Sequence, residues 1–250
     1  MTGVGDARRV VSIVVPTLNE DLAESLAVFG DYLRGLAGHR FEILFIDDSG
    51  DDVRARLREV VRDTRLPESV RVRFVDGARS GKGAAVRLGI GLTCGDIVFE
   101  IDADLPAPID NIEQFVRIFD EDPRVDAVIA ERRLDREFSS PLRKVVSRAL
   151  LVLQRVLLFH SREFSDTQCG FKAFRGDLIR DIAAEQRVSG GMYDLEYLYV
   201  ALRRGLRVAK ITVAPTPGRR QSRINVWKCL RQDPVDLLRI KAHGVLGRYR

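Results

Sequence analysis

The chain has 250 residues, enough to bury a core of its own, and its 45% apolar and 31% charged shares are those of a folded globular protein, which argues against disorder. Its formal charge is only +5, yet residues 201–250 hold 13 Lys/Arg against Asp233 and Asp236 while the first 200 residues are net −6, so the C-terminal fifth is expected to meet something anionic: a phosphorylated ligand, a lipid surface or nucleic acid. Cys94, Cys169 and Cys229 form no CxxC pair and the three histidines are scattered, which excludes a disulfide framework or a Cys/His metal site and fits a reducing cytosol.

In chain order, short β-rich runs alternate with segments of helical periodicity. RVVSIVVP (9–16), FEILFID (41–47), VRVRFVD (70–76), DIVFEID (96–102) and VDAVIA (125–130) read as strands. Segments 20–37, 51–63, 82–93 and 109–120 read as helices between them. That alternation predicts an α/β fold, a Rossmann-like mostly parallel sheet covered by helices on both faces. Beyond residue 130, residues 139–160 read as one long amphipathic helix, capped at Ser139 or Ser140 with Pro141 in its first turn. A loop and short strand succeed it at 166–177, then a helix at 193–205 and a strand at 206–215. No internal repeat or low-complexity linker divides the chain, which predicts one catalytic domain over residues 1–215 and a basic helical appendage over 216–250. The N-terminus lacks the apolar core of a signal peptide, and the longest apolar run, 149–159, is broken by Gln154 and Arg155, so a soluble or peripheral protein is expected.

The functional signal lies in the residues just after each strand. PTLNED comes after the first strand, DDSGDD after the second and DADLP after the fourth, and ligands of parallel sheets sit at the strands' carboxyl ends. In an extended chain Glu100, Asp102 and Asp104 would share one side, a crowding of like charge that a counter-ion would relieve. Asp102 and Asp104 suit a hard divalent cation, because Mg²⁺ takes one or two carboxylates and completes its shell with phosphate and water; a solvated acidic turn is the alternative. Asp47 and Asp48 suit hydrogen bonds from a nucleobase or ribose. A phosphoacceptor aspartate fits less well, since a complete βα unit precedes them. GARSGKGAAVRLG (77–89) is one residue short of a GxxxxGK[ST] loop and places Gly83 where Ser or Thr would bind Mg²⁺. What survives is Arg79 and Lys82 near a helix N-terminus, an anion site or a solvated basic turn. The cluster Arg132, Arg133, Arg136, Arg143, Lys144 and Arg148 is either a charged helix face or a surface for a membrane interface.

Together VVPTLNE (14–20), FIDDSGDD (45–52), GKGAAVRLGI (81–90), DADLP (102–106), DTQCGFKAFR (166–175), YDLEYLYVALRRG (193–205) and RRQSRI (219–224) resemble the inverting family-2 glycosyltransferases of GT-A fold, in particular the dolichyl- and polyprenyl-phosphate sugar synthases. The resemblance spans about residues 10–225. It implies that Pro16, Asn19, Glu20, Asp47, Asp48 and Lys82 line the nucleotide-sugar pocket, and that Asp102 and Asp104 hold Mg²⁺ or Mn²⁺ on the diphosphate. Arg220 and Arg223 would close over that diphosphate. Arg132, Arg143 and Ser147 would meet an acceptor phosphate, and Asp166 is the implied catalytic carboxylate, with Asp194 and Glu196 as second candidates. Pro106 and Ala107 depart from the Gln-His that usually comes after the acidic motif in the mannose synthases.

The expected reaction is metal-dependent transfer of a hexose from UDP-glucose or GDP-mannose to a polyprenyl phosphate, at the cytoplasmic inner face of a membrane, with the basic tail on anionic lipid or merely solvated. DTQCGFK favours UDP-glucose by its resemblance to the glucosyltransferase branch. A family-2 enzyme acting on a small-molecule or protein hydroxyl is the rival, and a nucleotidyltransferase, which would need a triphosphate substrate, a further one. Nucleic acid is not an expected partner, because the one tryptophan of the basic tail offers no aromatic interleaving for base stacking.

Overall fold

A computed structural model describes residues 9–20, 22–36, 38–132, 141–159, 164–214, 216 and 226–249, with the side chains of 24, 34, 141–147 and 226–230 outside that description. The amino half is a run of βα units: β1 (Val10–Thr17), α1 (Leu22–Gly35), β2 (Arg40–Asp47), α2 (Asp51–Asp63), β3 (Val70–Asp76), α3 (Lys82–Gly91), β4 (Ile97–Ile101), α4 (Asn111–Glu121) and β5 (Ala127–Arg132). Then come α5 (Pro141–Gln154), β6 (Phe171–Arg175), α6 (Gly176–Ala184), α7 (Tyr193–Arg203), β7 (Val208–Val213) and α8 (Val226–Val245). The seven strands form one sheet in the order β3-β2-β1-β4-β6-β5-β7, parallel except for β6, which runs against both β4 and β5. From β1 the chain winds outward to β3 and then returns to β1's other side with β4. This reversal between β1 and β4 opens a crevice at their carboxyl ends, where such sheets bind ligands.

Strand alternation divides the core in two. Val11, Ile13 and Val15 of β1 face α1, α2 and α4, whose Leu26, Phe29, Leu57, Ile112 and Phe115 close the first layer. Val14 faces the opposite side with Leu44, Ile46 and Val98, under α3, α6, α7 and α8. Leu237 and Ile240 of α8 are fully buried in this second layer, so the basic C-terminal helix packs on the sheet's helical cover. The region read as one helix over 139–160 is instead α5 followed by a π-helical turn, Arg155–Phe159. The two polar residues at that junction are used as anchors: Gln154 Oε1 accepts from Thr167 Oγ1 at 2.9 Å, and Arg155 Nη2 donates to Phe164 O at 2.8 Å. Among the described residues no helix is long and apolar enough to cross a membrane.

Phe99 on β4 is the centre of an aromatic trio, with ring centroids 5.7 Å from Phe115 and 6.1 Å from Phe171. Phe99→Ala should cost about 3–5 kcal/mol through lost burial and a residual cavity. Urea unfolding would show it, and a loss under about 1 kcal/mol would contradict this packing.

Candidate active site

At the carboxyl ends of β1 and β2, Asp47 is fully buried and its carboxylate is the hub of two loops. It accepts from Thr17 Oγ1 at 2.8 Å, Ser49 Oγ at 2.7 Å, Ser49 N at 3.1 Å and, longer, Arg54 Nε at 3.4 Å. Ser49 Oγ in turn accepts the Asn19 backbone N–H at 2.7 Å. Asn19 has φ 54°, a left-handed conformation that asparagine tolerates. Asp47 therefore ties the loops after β1 and β2 together from behind, while Asn19 is exposed and Glu20 and Asp48 are half-buried at the surface of those loops. Asp48 Oδ1 accepts the Arg79 backbone N–H at 2.9 Å. Pro16 is buried in β1 beyond the last β1–β4 pair, Val14 with Glu100, where a missing N–H does least harm to the sheet. Arg79 does not join Lys82 in an anion site: its side chain turns to Ser49 O and Asp51.

The acidic motif does not continue the strand. β4 ends at Ile101, and the Leu105 N–H bonds back to Asp102 O at 2.9 Å, closing a turn with Leu105 at φ 46°. The expected single face of three carboxylates is thereby broken up. Glu100 is buried among the helices of the second layer, Asp102 is partly exposed at the crevice, and Asp104 is exposed on the turn. Two distant residues hold the turn, Ser25 Oγ on Ala103 O and Thr216 Oγ1 on Leu105 O, each at 2.7 Å. Gly170 backs it so closely that any Cβ there would run into the Asp102 carboxylate.

Lys82, the first residue of α3, places its ammonium 2.6 Å from Asp102 Oδ1 and over the Tyr193 ring. Partial loss of hydration opposes its charge, but Asp102, Glu100 and Asp194 outweigh that and hold its pKa above the ordinary lysine value. Gly83 explains the missing Ser or Thr of a phosphate loop. A Cβ there would lie 2.7 Å from Tyr193 Cβ, because α3 and α7 begin against each other, and the Gly83 N–H is already bonded to Ser189 O at 2.9 Å.

Behind this surface lies a buried charge cluster. Lys172 on β6 stands opposite Glu100 on β4 in the antiparallel register and donates to Asp194 Oδ2 at 3.0 Å and Cys169 O at 2.8 Å. Burial opposes the Lys172 charge, yet Asp194 and Glu100 raise its pKa. Glu100 Oε1 accepts from the Tyr193 hydroxyl while Oε2, fully buried, has no hydrogen-bond partner. Burial pushes the Glu100 carboxyl upward against the pull of Lys172 and Lys82. Asp194 is thus the counter-ion of a buried lysine, with Oδ1 capped by the Leu195 N–H at 2.8 Å. Glu196 is likewise enclosed, accepting from Arg187 N, Val188 N and Tyr249 Oη at 2.7–2.9 Å.

Across the crevice, at the end of β5, Arg132 grips Asp166 through Nε at 2.6 Å and Nη2 at 3.1 Å. Two residues that the resemblance separates, one as an acceptor ligand and one as the catalytic carboxylate, are therefore a single bidentate pair. Nearby Cys169 is buried and its thiol is pushed up to about 12 by burial, so it is inert as a nucleophile. Arg143 and Ser147 lie on α5 with their side chains outside the described set, and Arg220 and Arg223 fall outside the described residues altogether. Lys172 and Tyr193 are not residues that the sequence singles out. The cue for Lys172 is a lysine set among Phe171, Ala173 and Phe174, whose partner only the β4–β6 register reveals.

The donor set fits a divalent cation delivered with a diphosphate. Asp102 and Asp104 offer hard oxygens on one backed turn, and among the described residues no cluster of three or more His, Cys, Asp or Glu forms a self-sufficient metal cage.

A switch-point crevice whose acidic turn faces a lysine at a helix start suits a phosphorylated ligand carried with a cation. The solved glucosyl-3-phosphoglycerate synthase of Mycobacterium tuberculosis, in complex with Mn²⁺, UDP-glucose and phosphoglyceric acid, shares this fold with a TM-score of 0.67 and 22% identity, over 94% of this chain and 80% of that one. Residues 12–182 match the family model for glycosyl transferase family 2, and the chain belongs to that family. A dolichyl-phosphate beta-glucosyltransferase of Trichomonas vaginalis is 28% identical over 81% of this chain, which spans 64% of that relative's length. The human dolichyl-phosphate beta-glucosyltransferase is 25% identical over 96% of this chain and 77% of its own.

Removing Lys172 strands two buried carboxylates. Lys172→Met should cost about 3–5 kcal/mol in urea unfolding, and adding Asp194→Asn should restore part of the loss. Additive losses in the double variant would contradict the pairing.

Proposed function

We propose that this chain transfers glucose from UDP-glucose to the phosphate of a polyprenyl phosphate, with Mg²⁺ or Mn²⁺ on the donor diphosphate. One observation supports the phosphate acceptor above all: each carboxylate read as a candidate base is already engaged, Asp166 by Arg132, Asp194 by Lys172, Glu196 by two N–H groups and Tyr249. A hydroxyl acceptor needs a positioned base. A phosphate monoester does not, since its second pKa near 6 leaves it largely anionic at neutral pH. The glucosyl donor is supported by the relatives' names and the fold neighbour's UDP-glucose.

On this reading Pro16, Asn19, Glu20 and Asp48 line the nucleoside pocket, with Asp47 fixing their loops. Asp102 and Asp104 hold the cation, which when bound neutralises charge on the leaving diphosphate. Lys82 supplies a second positive charge at that oxygen-rich centre. Arg132 engages Asp166 with Nε and Nη2 and keeps its remaining N–H groups for the acceptor phosphate, joined by Arg143 and Ser147. Arg220 and Arg223, which lie outside the described residues, are the residues that the resemblance offers to close over the diphosphate.

Nucleoside-diphosphate release from UDP-glucose and from GDP-mannose, with and without a short polyprenyl phosphate, tests the reading. Release should require metal and lipid phosphate, favour UDP-glucose, and fall about a hundredfold or more in Asp102→Ala/Asp104→Ala. Asp166→Asn should raise the acceptor KM more than it lowers kcat. A kcat loss of about 10²–10⁴ with a hydroxyl acceptor would instead identify Asp166 as a base.

A further inference from the structure

Glu196 on α7 is fully buried, and its carboxylate joins two distant stretches of chain. Oε1 accepts from the Arg187 N–H and from the Tyr249 hydroxyl, each at 2.7 Å, and Oε2 accepts from the Val188 N–H at 2.9 Å. The first stretch is the loop between α6 and α7, which Gln186 also braces: its Nε2 donates to Val188 O at 2.6 Å and its Oε1 accepts from the Tyr197 hydroxyl. The second is the turn after α8. There Gly247 takes φ 65° and Arg248 N bonds back to His243 O at 3.0 Å, so the chain reverses and Tyr249 is buried edge-on to Tyr199.

The next residue of the loop reaches the crevice. Ser189 O lies against both glycines that flank Lys82: it accepts the Gly83 N–H at 2.9 Å, and a Cβ on Gly81, itself at φ 102°, would stand 2.7 Å from it. A carbonyl one residue beyond the two amides bound by Glu196 thus fixes the backbone on either side of Lys82, whose ammonium faces Asp102.

We propose that Glu196 and Tyr249 are positioning residues for the crevice, acting through Ser189 O to hold the start of α3 where Lys82 meets Asp102 and, on the reading of Lys82 given above, the donor diphosphate. Neither residue touches the reacting atoms. A cation that stabilises a leaving diphosphate does so through geometry fixed in advance, so an anchor of its backbone bears on donor binding without any contact to the donor. A buried carboxylate with three donors is a stiff anchor, and removing one donor leaves its desolvation partly uncompensated.

Amide hydrogen exchange needs no ligand, so it tests the positioning even if the donor assignment fails. Tyr249→Phe keeps the ring and removes only the hydroxyl. It should speed exchange about tenfold or more at Val188 and at Gly83 alike, with the amides of β1 and β4 and the thermal unfolding midpoint near those of the parent chain. Calorimetric titration with UDP and Mn²⁺ reads the consequence. Tyr249→Phe and Glu196→Gln should each weaken UDP binding about tenfold, and Tyr249→Phe should weaken it no further in a Lys82→Met background. Faster exchange at Val188 with Gly83 unchanged would overturn the proposal and leave Glu196 a local staple. Losses of UDP affinity that add in the Tyr249→Phe/Lys82→Met double variant would overturn it as well.

Discussion

Lys172 is the charge on which the geometry of the crevice depends. An ammonium this deeply buried costs several kcal/mol to desolvate, and it is tolerable only where carboxylates meet it. Glu100 and Asp194 do so from different directions, one across the β4–β6 ladder and one from the start of α7. The pairing fixes where α7 begins, and with it Tyr193, against which α3 can start only because residue 83 is glycine. Lys82 therefore emerges beside Asp102 as a consequence of the charge buried behind it.

The front of the site obeys a matching logic. Buried Asp47 ties the loop after β1 to the loop after β2, so the groups left at the surface, Asn19, Glu20 and Asp48, stand on a fixed wall. The acidic turn is held from behind by Gly170 and from the sides by Ser25 and Thr216. Asp166 is locked by Arg132. Preorganised charge of this kind suits a reaction whose difficulty lies in bringing two anions together and stabilising a leaving diphosphate.

The fold is largely legible in the sequence because βα alternation imposes its own period, and each βα unit of the amino half lies close to where its apolar run places it. The long helix over 139–160 is not, since hydropathy cannot foresee that Gln154 and Arg155 are drawn off to Thr167 and Phe164. At the site, the residue types and the strand ends that carry them can be read locally. Partnerships cannot. That Arg132 binds Asp166, that Asp194 answers Lys172 and that Glu100 turns inward all result from β6 inserting antiparallel between β4 and β5, a pairing between distant segments that no local pattern encodes.

The most direct test of the account is a crystal structure with UDP and Mn²⁺. It should show the metal on the Asp102 and Asp104 carboxylates, the uracil and ribose against Asn19 and Asp48, and the Lys82 ammonium turned from Asp102 to a diphosphate oxygen. UDP bound away from the β1–β4 crevice, or a metal that touches neither Asp102 nor Asp104, would contradict it.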